Sequence, residues 1–148
     1  MATVSSTKHR VAAAGVRLPP RYEQGWYQMF CEATLPFLKP GAEVLDAGSG
    51  RRSAIRPADR PAGLRWTGLD LSAAELERAE AGAYDDIVEA DLVDRVPALE
   101  GRFDVITSYQ VLEHVKPLPA ALDNLRAYLR PEGVLIALFS GRWSRSAR

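Results

Sequence analysis

Glu43-Val44-Leu45-Asp46-Ala47-Gly48-Ser49-Gly50 reads as an apolar strand that runs into an acid and then into two glycines one residue apart. A strand brings the chain to the edge of a sheet, and glycines let the backbone turn tightly and come close to a ligand. Gly-x-Gly alone is a weak signal, because turns and bulges use glycine widely. A second feature strengthens it. In Trp66-Thr67-Gly68-Leu69-Asp70-Leu71 an acid closes the next apolar run, about twenty residues after the glycines, where such folds place a carboxylate to hold a ribose. Together they point to an α/β protein with binding loops at the carboxyl ends of its strands.

Working outward, the chain keeps alternating. Residues 21–38 carry Tyr22, Trp26, Tyr27, Met29, Phe30, Leu35, Phe37 and Leu38, much of it at helical spacing, before Pro40-Gly41 breaks the chain ahead of a strand at about 43–47. Pro57, Pro61 and Gly63 leave room for only a short or broken helix after the glycine loop. A second strand covers about 64–69. Ser72-Ala73-Ala74-Glu75 is a capping box, which predicts a helix to about Ala81 with a stop at Gly82. A short third strand, about 86–90, ends at Asp91, and a fourth is Phe103 to Ser108. Leu118, Ala121, Leu122, Leu125 and Leu129 form one apolar helical face. Arg130-Pro131-Glu132-Gly133 reads as a turn into a fifth strand, Val134 to Phe139. Short apolar strands alternating with helices predict a parallel sheet covered on both faces.

A chain of 148 residues suits one domain with one core. Residues 1–20 lack periodicity, end in Pro19-Pro20 and read as a flexible N-terminal tail, with 21–148 as the single domain. The formal net charge is zero, which argues against nucleic acid as a partner. No apolar run approaches membrane-spanning length. The single cysteine, Cys31, builds neither a disulfide framework nor a cysteine-rich metal site, and in its aromatic surroundings it reads as a small buried residue. No metal is expected, and the expected setting is soluble, reducing and cytoplasmic.

The chemistry follows from the strand ends. The amides of Gly48, Ser49 and Gly50 are placed to reach a carboxylate, a phosphate or a sulfonium-bearing amino acid. Asp46 discriminates among these, because a carboxylate beside a pyrophosphate is repulsive whereas a cationic amine or sulfonium accommodates it. The dinucleotide pattern G-x-G-x-x-G needs a third glycine where this chain has Ser53, which tilts the reading away from NAD. Asp70 can accept hydrogen bonds from both hydroxyls of a ribose; the alternative is an acid flanking the Ser72 cap. Asp91 can accept from the amino group of adenine while the Leu92 amide donates to a ring nitrogen; the alternative is a turn aspartate.

The ordered series Val44-Leu45-Asp46-Ala47-Gly48-Ser49-Gly50, Gly68-Leu69-Asp70-Leu71-Ser72, Ala90-Asp91-Leu92, Phe103-Asp104-Val105-Ile106, Val111-Leu112-Glu113-His114-Val115 and Leu129-Arg130-Pro131-Glu132-Gly133-Val134-Leu135 resembles the class I S-adenosylmethionine-dependent methyltransferases, and looks like their small-molecule branch. The resemblance covers about residues 41–139. It implies a Rossmann-like parallel sheet in the order 3-2-1-4-5 with helices on both faces. It implies S-adenosyl-L-methionine as cofactor and a small-molecule methyl acceptor. Asp46, Ala47, Gly48, Ser49 and Gly50 would surround the methionine part, Asp70 would bind the ribose with Leu71 beside the adenine, and Asp91 and Leu92 would address the adenine edge. Ser108, Tyr109 and Gln110 would face the sulfonium and the acceptor.

The chain departs from that pattern twice. Arg52 stands where the glycine loop usually carries its last glycine, and Arg51 and Arg52 are expected to point to solvent, the alternative being a pairing with the cofactor carboxylate. The family's sheet has seven strands in the order 3-2-1-4-5-7-6, and only five are found here; strands 6 and 7 are lacking. Strand five would then be an apolar edge, expected to pair with a second copy or a partner chain. His114 is the candidate catalytic base, although displacement at an activated carbon can proceed by proximity and alignment alone and a helix-face histidine is more often structural. Two other function classes stand beside the methyltransferase: a truncated, non-catalytic cofactor-binding module, and a nucleotide-dependent oxidoreductase.

Overall fold

The computed structural model describes residues 25–140. The expected N-terminal tail, the first residues of the 21–38 helix and the chain from 141 onward lie outside the described residues. Five strands, β1 (Glu43–Ala47), β2 (Arg65–Asp70), β3 (Asp86–Glu89), β4 (Phe103–Tyr109) and β5 (Leu129–Leu138), form one parallel sheet in the order β3-β2-β1-β4-β5. Three α-helices accompany them among the described residues: α1 (Trp26–Thr34), α2 (Ala73–Glu77) and α3 (Leu118–Tyr128). The strand order and class agree with the sequence expectation.

The apolar runs of β1, β2 and β4 are continuous because both faces of the sheet are covered. Val44 and its partner Val105 point to the side where Phe30 and Cys31 of α1 pack with Ile55 and Trp66. Leu45 and its partner Ile106 point to the other side, against Ala121, Leu125 and Tyr128 of α3. Each such side chain, taken fully out of water, stabilises the fold by roughly 1.5–3 kcal/mol before entropy is counted. Cys31 is buried, in keeping with its reading as a packing residue. No described helix is long and apolar enough to cross a membrane.

Two local expectations are corrected, the end of α2 and the turn before β5, and one is met. The segment after β1 holds a single 3-10 turn, Pro57–Asp59, in keeping with the short or broken helix expected there. The capping box works as read, with the Ser72 hydroxyl accepting from the Glu75 amide at 3.3 Å, but α2 ends at Glu77 rather than near Ala81. Leu76 is its one buried residue, so no apolar stripe sustains a further turn. Residues 130–133 form a bulge inside β5 rather than a turn before it. The register steps from Phe103↔Leu129 to Val105↔Val134, and Glu132 takes φ 66° to let the extra residues loop out. β5 is the last strand of the sheet among the described residues, and Val134 to Leu138 are only half-buried.

Candidate functional site

The tip of β1 is built around Asp46, whose side chain is fully buried. One carboxylate oxygen accepts from the Ala54 amide at 2.7 Å and from the Trp66 indole at 3.4 Å; the other accepts from the Thr107 hydroxyl at 3.1 Å. Burial pushes its pKa up to about 6 despite these bonds, which favour the ionised form. Asp46 therefore fastens the 50–54 loop onto the sheet and presents no oxygen to a ligand. Ala47 and Ser108 are buried as well, with the Ser108 hydroxyl donating to the Ala47 carbonyl at 3.2 Å. These three residues were expected to line the ligand; their side chains are instead enclosed in the protein, because side chains on central strands point into the packed faces.

The glycine loop is tied down from within. Gly48 (φ 79°) donates its amide to the Leu69 carbonyl at 2.7 Å, and Val111 packs over it so closely that a Cβ would not fit. Gly50 (φ 53°) donates to the Asp70 carboxylate at 2.9 Å. Two of the three amides expected to reach an anion are thus directed into the protein. Tyr84 supplies the third tie. Its hydroxyl donates to the Gly50 carbonyl at 2.9 Å and shares a 2.6 Å hydrogen bond with Ser49. The Tyr84 ring lies on Gly68, where a Cβ would sit 2.8 Å from it. Sequence reasoning missed Tyr84. The signal was Gly68, a glycine inside an otherwise apolar strand, which marks a place where something comes close.

Beyond the loop, a cleft of about 380 Å³ opens at the carboxyl ends of β1, β2 and β4. Gly48, Asp70, Leu71, Asp91, Leu92, Gln110 and His114 share its walls, so most of the expected ligand contacts converge here. Asp70 accepts from the Gly50 and Ser72 amides, and Asp91 from the Val93 amide. Each carboxylate offers about four acceptor positions, so both keep capacity for a ligand. Leu71 stands 68% exposed at the mouth. The Leu92 amide has no protein acceptor among the described residues. Helix α3 holds this segment in place: Asn124 donates to the Leu92 carbonyl at 3.0 Å, and the Tyr128 hydroxyl accepts from the Val96 amide at 2.8 Å. Neither role was legible from the sequence, where Tyr128 went unremarked beside the apolar stripe.

Gln110 takes the left-handed conformation (φ 56°), fixed by its amide donating to the Leu138 carbonyl at 2.6 Å. For a non-glycine residue this costs on the order of 1–2 kcal/mol, and such strain gathers at sites. Two residues expected together are apart, because successive side chains at the end of β4 point to opposite faces of the sheet. Gln110 borders the cleft, whereas Tyr109 packs edgewise on Phe30 and Tyr27, with ring centres 5.1 and 6.4 Å apart, on the α1 side. His114 sits exposed on a 3-10 turn, Leu112–His114, at the rim, and its ring makes no hydrogen bond among the described residues.

On the α1 side Tyr27 and Tyr109 meet Arg51, Arg52, Arg56 and Arg78 around a larger cleft of about 760 Å³. Burial and the Asp59 hydrogen bond push the Tyr27 phenol up to about 12, so it stays neutral at physiological pH. A further cleft of about 460 Å³ lies at the opposite end of the sheet, by Gly41 and the 130–133 bulge. It holds none of the expected residues, and ligands of open α/β sheets bind at the carboxyl ends of the strands.

This chain is similar to known proteins. A family described as a methyltransferase domain matches residues 22–145. The malonyl-[acyl-carrier protein] O-methyltransferase of Enterobacter lignolyticus (strain SCF1) is 36% identical over 133 residues, covering 86% of this chain and 52% of the relative. The ubiquinone biosynthesis O-methyltransferase of Rhodopseudomonas palustris (strain BisB5) is 30% identical over 112 residues, covering 72% and 44%. The chain thus spans about half the length of the curated relatives it matches. Among solved structures, an S-adenosylmethionine-dependent methyltransferase from Mesorhizobium loti superposes with a TM-score of 0.56 at 26% identity, covering 71% of this chain and 48% of that one. The phosphoethanolamine N-methyltransferase 2 of Haemonchus contortus, solved with phosphomonomethylethanolamine and S-adenosylhomocysteine, shares the fold with a TM-score of 0.63 at 24% identity, covering 82% and 31%. With a five-stranded sheet in the order 3-2-1-4-5, acids at the tips of β2 and β3 and a family match over most of its length, this chain belongs to the methyltransferase domain family.

Proposed function

We propose that this chain binds S-adenosyl-L-methionine in the cleft between Asp70 and His114 and transfers its methyl group to a small-molecule acceptor. The observation that carries this reading is the convergence of Asp70, Asp91 and the Leu92 amide on one cleft beside the glycine loop. Their chemistry fits the cofactor. Asp70 retains acceptor positions for two ribose hydroxyls, Asp91 for an exocyclic amine, and the Leu92 amide is a donor without a protein partner. Leu71 offers an apolar surface to one face of a base. When bound, the cofactor supplies a methyl carbon activated by a positively charged sulfur. The protein then has little covalent work to do. Val111 and Gln110 hold the floor and wall, and alignment of the acceptor supplies most of the acceleration. His114, at the rim, is within the cleft for a proton leaving an acceptor hydroxyl or amine, and this reading does not require it.

The described residues, 25–140, belong to a single domain in this reading. The single buried cysteine suits a reducing, cytoplasmic setting. The half-buried residues of β5 support a second copy or a partner chain at that edge. Calorimetric titration with S-adenosylhomocysteine and, separately, with NAD tests the cofactor; tighter binding of NAD would replace this reading with an oxidoreductase. A methyl-transfer assay follows. Cofactor binding without transfer to any catechol, carboxylic acid or amine acceptor would leave a non-catalytic binding module.

A further inference from the structure

The arginine-lined cleft on the α1 side is not used by the reading above, and its charges do not balance. Arg51 and Arg78 share one carboxylate, Glu75, at 3.5 and 3.1 Å. Arg56 is held by Asp59 at 2.8 Å and stacks over the Tyr27 ring, 4.8 Å from its centre. Arg52 is exposed and has no acidic partner among the described residues. Among the described residues Glu80 is the one further carboxylate on the wall, so their charges leave the cleft net positive. Tyr27 and Tyr109 give it an aromatic side, and both phenols are pushed up by burial, so neither offsets the cations. Arg51 and Arg52 also border, with Gly48 and Asp70, a shallow groove of about 450 Å³ that shares walls with both clefts.

We infer that this cleft is the acceptor site and that it takes a molecule carrying an anionic group, a phosphate ester or carboxylate, next to an aromatic ring. The inference rests on the cofactor reading of the neighbouring cleft. A guanidinium presents paired donors that match the oxygens of phosphate and carboxylate, and Arg52 is the one in this cleft whose donors no acid among the described residues engages. The ring finds Tyr27 and Tyr109 at the inner side. The same anionic chemistry is present in the carboxylate of the cofactor itself, so a test must separate the two sources.

Phenyl phosphate and phenol serve as probes, titrated calorimetrically into the 148-residue chain, with S-adenosylhomocysteine titrated in parallel. Phenyl phosphate is expected to bind at least about tenfold more tightly than phenol, and more weakly as salt is raised. Arg52→Ala should weaken phenyl phosphate by about fivefold or more while S-adenosylhomocysteine stays within about twofold. Arg126→Ala, which removes the same charge from the exposed face of α3, should change neither. Equal binding of phenyl phosphate to wild type and Arg52→Ala, or no binding, overturns the inference. Loss of S-adenosylhomocysteine affinity in Arg52→Ala with phenyl phosphate unaffected also overturns it, and assigns the arginine to the cofactor carboxylate. If phenyl phosphate behaves as expected but S-adenosylhomocysteine fails to bind the wild type, the cofactor reading falls and the anion site stands.

Discussion

The Gly50 amide donates to the Asp70 carboxylate at 2.9 Å, tying the loop after β1 to the tip of β2. The same carboxylate accepts from the Ser72 amide at 3.1 Å. Asp70 is therefore both a candidate ligand contact and a latch between two loops.

That double role sets the first prediction. Asp70→Ala should weaken S-adenosylhomocysteine binding by about 1.5–3 kcal/mol, the range for hydrogen bonds to a charged group. It should also lower folding stability by about 1 kcal/mol, since two backbone amides lose their acceptor. Asp70→Asn keeps one oxygen for the Gly50 amide and should recover most of the stability but less of the affinity. Calorimetry and urea melts separate the two effects. Full affinity in a folded Asp70→Ala variant would remove the residue from the site.

Asp46 sets the pH dependence. Its folded pKa, about 6, lies above its ordinary value of 3.8, so the folded protein holds this proton more tightly than the unfolded chain. The stability it contributes is fully present below about pH 4 and is lost as pH rises through about 6, a loss on the order of 2–3 kcal/mol. Asp46→Asn can accept from Ala54 and donate to Thr107, so it should lack this slope and match or exceed the wild type at pH 7. The difference between wild type and variant, measured by denaturant melts from pH 4 to 7, cancels the carboxylates they share. A flat difference would show that Asp46 does not titrate in this range.

Gly68→Ala should be costly although alanine suits a strand better than glycine. The new methyl meets the Tyr84 ring at 2.8 Å and Leu76 at 2.9 Å. Overpacking of this kind costs about 1–3 kcal/mol. Displacing Tyr84 also loosens its bonds to Ser49 and Gly50, so S-adenosylhomocysteine affinity should fall together with the melting temperature. Tyr84→Phe should lower the affinity with a smaller change in stability.

His114→Ala should leave turnover within a few fold once an acceptor is found. A general base would instead be worth about 10²–10⁴-fold. A loss above about a hundredfold with S-adenosylhomocysteine affinity intact would make His114 the base.

The outer edge of β5 should drive self-association. Strand groups that no described strand pairs with, beside half-buried Val134, Ile136 and Leu138, form a template for a second strand. Sedimentation of the 148-residue chain at micromolar concentration should show dimers or larger species. A monodisperse monomer would mean that residues outside 25–140 cover this edge.

Most of the fold was legible in the residues because it rests on local signals. Apolar runs, two glycines and an acid at each strand tip determine parallel strands and the end where ligands bind, and the Ser72 cap starts α2 where the pattern says. Asp70, Asp91, Leu92, Gln110 and His114 line one cleft because residues at and just past the strand ends face the same end of the sheet. What the tertiary structure alone decided is the direction of each side chain and the partner of each backbone group. Asp46 looked like a ligand contact from its place beside the glycines, but Ala54, Trp66 and Thr107 arrive from three distant segments and enclose it. Tyr84, Asn124 and Tyr128 brace the site through contacts thirty-odd residues apart in the chain, and Tyr27 and Phe30 of α1 take up Tyr109 on the face of the sheet away from Gln110. Long-range packing leaves no periodic trace in a sequence, since no spacing rule links residues whose neighbours are set by the fold.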